Sequence, residues 1–248
     1  MGEIPEELLR RDDVFFGSYI GEDDDDIERA ARIAYDEILR TTRDRGFPHL
    51  IRVWNHVRDI NEGEGDAERY KRFCAGRHDA FAAAQWPKDR LPAASAVGIR
   101  QRGLVIHYLA ATTPGRQIEN PRQISAYDYP REYGRRSPSF ARATVFGDTL
   151  FIAGTASIVG HETRHAGDIH AQLRETLANL DAILHAAGRR TLGDLTDVKL
   201  YLRKGADPQI ANAVRAAMPH ARHAVMEADI CRRELLLEIE GIATGAVV

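Results

Sequence analysis

Two glutamates near the end of the chain are the side chains best placed for acid–base chemistry. Glu238 and Glu240 lie two residues apart in an otherwise apolar segment, residues 235–243. In a β-strand this spacing puts both carboxyls on one face. A carboxyl on a half-buried strand is costly to ionise, so its pKa rises and it suits general acid catalysis. The alternative is that both carboxyls point to solvent on an exposed sheet face.

An arginine- and tyrosine-rich segment supplies candidate anion-binding groups. Within residues 120–142 lie Arg122, Arg131, Arg135, Arg136, Arg142, Tyr127, Tyr129 and Tyr133. A guanidinium is a planar fork that matches a carboxylate bidentately. The segment leads directly into a predicted core strand, which favours a binding role over a solvated basic linker.

Residues 161–165 read H-E-T-R-H and match the zincin motif H-E-x-x-H. That motif binds zinc from a helix that places both histidines on one face. Gly160 and Gly167 bracket the segment and predict a loop instead. His170 also misses the position of a third metzincin ligand by one residue. We therefore expect no metal site.

The elements that would position these residues form an α+β pattern. Residues 150–157 predict a buried strand that turns polar at Thr155, followed by a glycine turn at Gly160, an arrangement that brings donors to a cleft. Helices are predicted over residues 23–45, 67–84, 167–187 and 208–217. Further strands are predicted over residues 49–57, 94–99, 103–110, 140–146, 195–202, 224–230 and 234–243.

The second half of the chain repeats the element order of the first. Residues 104–107 match residues 235–238 in pattern. We infer two α+β units in tandem: a truncated N-terminal lobe over residues 1–113 that lacks most of its opening hairpin, and a complete domain over residues 137–248. The linker, residues 114–136, is long for a compact protein, and its arginines and tyrosines predict that it lines a site.

Composition excludes several functional classes. The 248 residues include 34 Lys and Arg and 37 Asp and Glu, a formal net charge of −3, which argues against a general nucleic-acid binder. No apolar run approaches the roughly 18 residues of a membrane span. The acidic N-terminus has no apolar signal core, which indicates a cytoplasmic protein. Cys74 and Cys231 lie far apart and predict neither a disulfide framework nor a cysteine zinc site.

The C-terminal sequence LLLEIEGIA resembles the closing strand of the RidA (YjgF) superfamily, whose first glutamate is functional; that position is Glu238 here. More specifically, the chain resembles the chorismatases, the hydrolases and 3-hydroxybenzoate synthases that act on chorismate. The matching stretches run from about residue 23 to the end: RVWNHVRDIN, RYKRFCAGRHDAF, LPAASAVG, NPRQISAYDYPREYGRRSPSFARA, LFIAGTASIVGHETRHAGD and EADICRRELLLEIE. The resemblance implies two RidA-like (chorismate-mutase-like) units, no cofactor and a homotrimer.

The resemblance also implies residue roles. Glu238 would protonate the enolpyruvyl ether of chorismate, and Cys231 resembles the branch that makes 3-hydroxybenzoate and pyruvate by attack of a ring hydroxyl within the molecule. In the hydrolases, water attacks instead, and a dihydroxycyclohexadiene carboxylate leaves with pyruvate. The implied substrate-binding residues are Arg77, Tyr127, Tyr129, Arg135, Arg142, Gly154 and Thr155.

Two other classes stay open. A RidA-like imine hydrolase would also use an arginine and a glutamate, but it would not need the arginine- and tyrosine-rich segment. A non-catalytic metabolite-binding protein would keep the arginines and tolerate loss of Glu238. Release of pyruvate from chorismate separates all three.

Overall fold

The computed structural model describes residues 6–22, 26–100, 103–188 and 191–245. The helices in these ranges are α1 (Glu6–Leu9), α2 (Ile27–Asp44), α3 (Arg69–Ala83), α4 (Ile169–Ala186) and α5 (Ile210–Ala217). The strands are β1 (Val14–Gly21), β2 (His49–Arg58), β3 (Ala93–Ile99), β4 (Leu104–Ala111), β5 (Arg116–Ile118), β6 (Ala143–Phe146), β7 (Thr149–Thr155), β8 (Ile158–Val159), β9 (Glu162–Thr163), β10 (Asp197–Leu202), β11 (Arg222–Glu227), β12 (Asp229–Ile230) and β13 (Leu237–Ala243). The predicted α+β class is confirmed, and none of the helices described is long and apolar enough to cross a membrane.

The first sheet has the strand order β1-β4-β2-β3-β12, with α2 and α3 on one face. Strand alternation turns Val53 and Val57 of β2 and Ile106 of β4 toward the helices. There they pack with Ile38 of α2 and Phe73 of α3, and all five side chains are buried. The predicted helix over residues 23–45 corresponds to α2, although residues 23–25 lie outside the described ranges.

The second sheet has the order β11-β10-β13-β7-β6-β5, and α4 and α5 cover one of its faces. The Asp168 side chain accepts a hydrogen bond from the Ala171 N–H at 2.9 Å and caps the start of α4. The apolar face of α4 includes Leu173 and Leu180, which pack with Leu237 of β13. This helix is the one predicted over residues 167–187.

The two units share one topology. In the first, β2 pairs parallel with β3 and antiparallel with β4, which pairs antiparallel with β1. In the second, β10 pairs parallel with β11 and antiparallel with β13, which pairs antiparallel with β7. The predicted tandem repeat is therefore confirmed. Strand β1 was not predicted; it corresponds to β7 of the second unit. The described part of the first unit has no counterpart of β6, and truncation of this unit stays a prediction.

The two sheets pack against each other through the faces that the helices leave free. An apolar cluster fills part of this interface, with Ile51 and Leu109 from the first sheet and Phe151 and Ile242 from the second. Beside the cluster the interface is polar and charged. β12 carries the chain from the second unit to the first sheet, where it pairs with β3.

Three predicted strands have wrong bounds. Residues 224–230 form two strands, because β11 ends in the second sheet and the chain crosses to pair β12 with β3. β6 begins three residues after the predicted start at residue 140. β13 begins after the predicted start at residue 234, because a turn closed by Leu235 N–H to the Arg232 carbonyl precedes it. The segment 114–136 is more than a linker: β5 pairs with β6 and extends the second sheet.

Candidate active site

A cleft of about 530 Å³ opens where the two units meet. Its walls come from α3 and β3 of the first unit, from the segment between β5 and β6, and from β7, the β8–β9 hairpin and the turn before β13. Side chains that line it include Arg77, Ser95, Tyr129, Tyr133, Phe140, Arg142, Gly154, Cys231, Arg232 and Glu238. The cleft therefore collects both the arginine- and tyrosine-rich segment and one of the two strand glutamates.

Glu238 lies in this cleft with its carboxyl almost fully buried. Its side chain is on the face of β13 that meets the first sheet, it is 3% exposed, and its Oε1 has no hydrogen-bond partner among the described residues. Burial raises the pKa of Glu238 to about 8, and the negative charge of Glu240 adds to this, whereas Arg52 and Arg142 oppose it. Glu238 is therefore mainly protonated at neutral pH and can act as an acid.

Glu240, two residues along the same strand, is ionised where Glu238 is protonated. Burial favours its neutral form, but Arg52 and Lys199 outweigh burial and hold the pKa of Glu240 below its ordinary value. Its two oxygens contact Arg52 Nη2 at 2.5 Å, Ser95 Oγ, Trp54 Nε1 at 3.1 Å, Tyr201 OH at 3.2 Å and Lys199 Nζ at 3.2 Å. Glu240 is thus a buried anion with well-satisfied oxygens, and it does not line the cleft.

Two buried arginines face the cleft without a carboxylate partner in the described ranges. Arg77 is 1% and Arg142 4% exposed, and the Nε of each has no acceptor there. Arg142 Nη2 donates to the Tyr129 hydroxyl at 2.7 Å. Both guanidiniums lie near the Phe140 ring, at 5.9 Å and 5.2 Å from its centroid. Because an unpaired buried charge is costly, these cations indicate a site for an anionic ligand.

Arg232 is a third cleft arginine, which the sequence analysis missed. Its guanidinium lies 4.2 Å from the Tyr133 ring centroid and 5.3 Å from that of Tyr129. Its Nη1 donates to the His161 carbonyl at 2.8 Å and to Thr163 Oγ1 at 3.2 Å. The sequence signal that points to it is its place directly after Cys231.

Cys231 and Gly154 shape the surroundings of Glu238. Burial raises the pKa of the Cys231 thiol to about 12, so Cys231 is neutral and not a thiolate nucleophile at neutral pH. At Gly154, an added Cβ would lie 2.1 Å from Glu238 Oε1. Any residue with a Cβ at position 154 would therefore displace the Glu238 carboxyl from its observed position.

Comparison with known proteins identifies the family. Residues 6–110 match the family described as "Chorismatase FkbO/Hyg5-like, N-terminal", and residues 135–245 match "Endoribonuclease L-PSP". A Streptomyces hygroscopicus protein named 3-hydroxybenzoate synthase is 36% identical over 233 residues, which is 86% of this chain and 68% of that protein. A protein named chorismatase from the same species is 37% identical over 229 residues, 86% and 67% of the two chains. A crystal structure of a chorismatase superposes with a TM-score of 0.89 at 34% identity, covering 95% of this chain and 76% of that one.

The chain belongs to the chorismatase family. It is accordingly an enzyme, and the cleft around Glu238 is its candidate active site. A RutC family protein from Pyrococcus horikoshii is also 36% identical over 110 residues, covering 42% of this chain and 85% of that protein. The RidA-like character of one unit is therefore confirmed as well.

Three residues that the chorismatase resemblance implied as substrate contacts do not line the cleft. Arg135 is exposed and pairs with Glu28 at 2.6 Å. The Tyr127 hydroxyl accepts from Gln117 Nε2 at 3.2 Å, away from the cleft. The Thr155 hydroxyl is turned back to the backbone carbonyl two residues before it, at 2.9 Å. Each of these side chains has another partner in this structure and none lines the cleft, so their role in substrate binding stays a prediction.

The H-E-T-R-H segment contains the turn and second strand of the β8–β9 hairpin, so it is a strand and turns where a loop was predicted, and it is not helical. A hairpin does not place His161 and His165 on one helical face. His161 Nδ1 lies 3.2 Å from the Tyr133 hydroxyl, and His165 Nε2 lies 3.2 Å from a Glu175 oxygen. Within the described ranges, no group of three or more His, Cys, Asp and Glu side chains is arranged to hold a metal ion.

Proposed function

We propose that this chorismatase-family enzyme converts chorismate to 3-hydroxybenzoate and pyruvate. The observation that carries the proposal is a buried, protonated Glu238 with a free Oε1, in one cleft with the unpaired cations Arg77 and Arg142. Chorismate is a dicarboxylate with an acid-labile enolpyruvyl ether. Its chemistry calls for two cationic contacts and one proton donor, which are the groups that this cleft collects.

Arg77 and Arg142 are the proposed carboxylate ligands. Each is held beside Phe140, and the Nε–H of each has no acceptor among the described residues, so each cation can still form a charge-assisted hydrogen bond with a carboxylate. The Tyr129 hydroxyl accepts a hydrogen bond from Arg142, which leaves its own proton to donate to the substrate. Arg232 adds a third cation to the cleft wall.

The proposed proton transfer runs from Glu238 to the methylene carbon of the enol ether. It leaves an oxocarbenium-like centre on the substrate and a carboxylate on Glu238. The positive charges of Arg142 and Arg52 favour that carboxylate, so the arginines that oppose a raised pKa also stabilise the acid after it has reacted. The absence of a side chain at Gly154 gives Glu238 Oε1 its room.

The product branch follows from what attacks that centre. Attack by a ring hydroxyl, followed by collapse, distributes all atoms of chorismate between 3-hydroxybenzoate and pyruvate and consumes no water. Attack by water adds one water and gives pyruvate and a dihydroxycyclohexadiene carboxylate. The first branch is supported by Cys231, which resembles the aromatic branch, and by the similar protein named 3-hydroxybenzoate synthase.

The test is incubation of the purified protein with chorismate. Pyruvate is measured by a coupled reduction, and the second product is identified by chromatography against both standards. We expect equal amounts of pyruvate and 3-hydroxybenzoate. Pyruvate with the dihydroxycyclohexadiene product would replace the aromatic branch by the hydrolytic one. Unchanged chorismate would overturn the proposal, and turnover of a small α-imino acid instead would point to a RidA-like imine hydrolase.

A further inference from the structure

A buried ionic cluster around Glu240 lies behind Glu238. Its members Glu240 and Arg52 do not line the cleft, whereas Ser95 does. We propose that Glu240, with Arg52 and Ser95, is a positioning group for the acid: it fixes the backbone at Gly154 and keeps a permanent negative charge behind the Glu238 carboxyl. The proposal deepens the proposed function, since it concerns the residue given the role of acid there.

Ser95 connects this cluster to the backbone at Gly154 through hydrogen bonds. Its hydroxyl accepts from the Gly154 N–H at 2.9 Å and from Arg52 Nη2 at 2.5 Å, and it donates to Glu240 Oε2. A hydroxyl has one proton and two lone pairs, so these three bonds use its full capacity. Ser95 of the first sheet thereby joins β7 to β13 of the second.

The joined backbone is irregular at this point. Ile239 pairs with Thr155, but Gly241 pairs with Ile152, so two residues of β7 oppose Glu240 alone. Such a bulge bends one strand and re-aims neighbouring side chains. Gly154 is one of the two bulged residues, and it lies against Glu238 Oε1. The position of the bulge therefore determines the position of the Glu238 carboxyl.

The charge of Glu240 acts on Glu238 as well. The charged and titratable groups that face Glu238 are Glu240 on its own strand, Arg52 on β2, Arg142 before β6, Tyr201 on β10 and Cys231 before β13. Burial and the Glu240 anion favour the neutral acid, whereas Arg52 and Arg142 favour its carboxylate. Neutralising Glu240 would remove a negative charge and also leave Arg52 uncompensated. Both changes lower the proton affinity of Glu238.

The test is an infrared titration of Glu238 in the free protein. Its protonated carboxyl band is identified by its absence in the Glu238→Gln variant. In Glu240→Gln we expect the pKa of Glu238 to fall by about one unit or more. The control is Glu175→Gln, which breaks the ion pair between Glu175 and Arg122 outside the cleft. In this variant the pKa of Glu238 should stay at its parent value. A folded Glu240→Gln protein with the parent pKa would overturn the charge role.

Ser95→Ala is the second variant, and it decides the question if Glu240→Gln does not fold. It keeps every charge but removes the acceptor of the Gly154 N–H, so the bulge loosens and water reaches the Glu238 carboxyl. We expect the pKa of Glu238 to fall here too, and a parent pKa would overturn the positioning role. Because the titration needs no chorismate, its outcome is independent of whether chorismate is the substrate.

Discussion

Replacing Glu238 with glutamine should stabilise the folded protein above neutral pH while removing its activity. In the folded state the pKa of Glu238 is about 8, against an ordinary value of 4.5. Between these two pH values the unfolded chain releases the Glu238 proton and the folded protein keeps it. Since the folded state then binds more protons, the stability of the parent falls as pH rises from 4.5 to 8, and glutamine abolishes that loss.

The size of the effect follows from the shift. One pKa unit corresponds to about 1.4 kcal/mol. The rise in the pKa of Glu238 from 4.5 to about 8 therefore lowers the free energy of unfolding of the parent by roughly 5 kcal/mol above pH 8, and it has no effect below pH 4. The glutamine amide lacks a partner for its N–H groups in this buried place, which costs about 1 kcal/mol or more at every pH. We expect Glu238→Gln to be about 3 to 4 kcal/mol more stable than the parent near pH 9.

The assay is urea unfolding of both proteins across this pH range. The difference in the free energy of unfolding should grow with pH and level off above pH 8. Glu175→Gln is the matched control, because Arg122 and His165 outweigh the burial that would raise the pKa of Glu175 and hold it below its ordinary value. Its loss of stability should therefore be present at neutral pH and shrink in acid. A stability difference for Glu238→Gln that does not depend on pH would refute the reasoning.

Three further outcomes concern the cleft. Arg142→Met should raise KM at least about tenfold, because it removes a charge-assisted pair to a carboxylate, whereas the exposed Arg135→Ala should leave KM and kcat unchanged; equal effects of the two would show that Arg142 is misassigned. Gly154→Ala should lower kcat with little change in Tm, because the new Cβ displaces only the flexible end of Glu238, and a parent kcat would contradict this. Iodoacetamide at about pH 8 should alkylate Cys231 slowly because only the thiolate reacts, and rapid inactivation that Cys231→Ala abolishes would show that the thiol is not neutral.

Strand alternation was enough to predict that Glu238 and Glu240 share one face. It could not predict that one is neutral and the other ionised. The difference arises from Arg52 and Ser95, which reach Glu240 from the other sheet and are more than a hundred residues away along the chain. Protonation state is thus set by tertiary partners that no local pattern displays, and these partners make Glu240 a buried structural anion.

Which arginines line the cleft also depends on tertiary structure. The chorismatase resemblance implied Arg135 as a substrate contact, but in the structure that exposed side chain pairs with Glu28 on α2. Arg232 lies far from the dense segment in sequence, yet the turn before β13 brings it between Tyr129 and Tyr133. Helix α4 was predictable because its cap and apolar period are local. The homotrimer and the cytoplasmic location stay predictions.

The central claim is that neutral Glu238 donates the proton that breaks the enol ether. Its most direct test is the pH dependence of kcat/KM for chorismate, which reports the essential acid of the free enzyme. We predict a plateau up to near pH 8, then about a tenfold loss per further pH unit, and for Glu238→Gln a rate lower by about 10²–10⁴-fold without that limb. A parent whose kcat/KM holds or rises through about pH 10, or a Glu238→Gln enzyme near the parent rate, would contradict the claim.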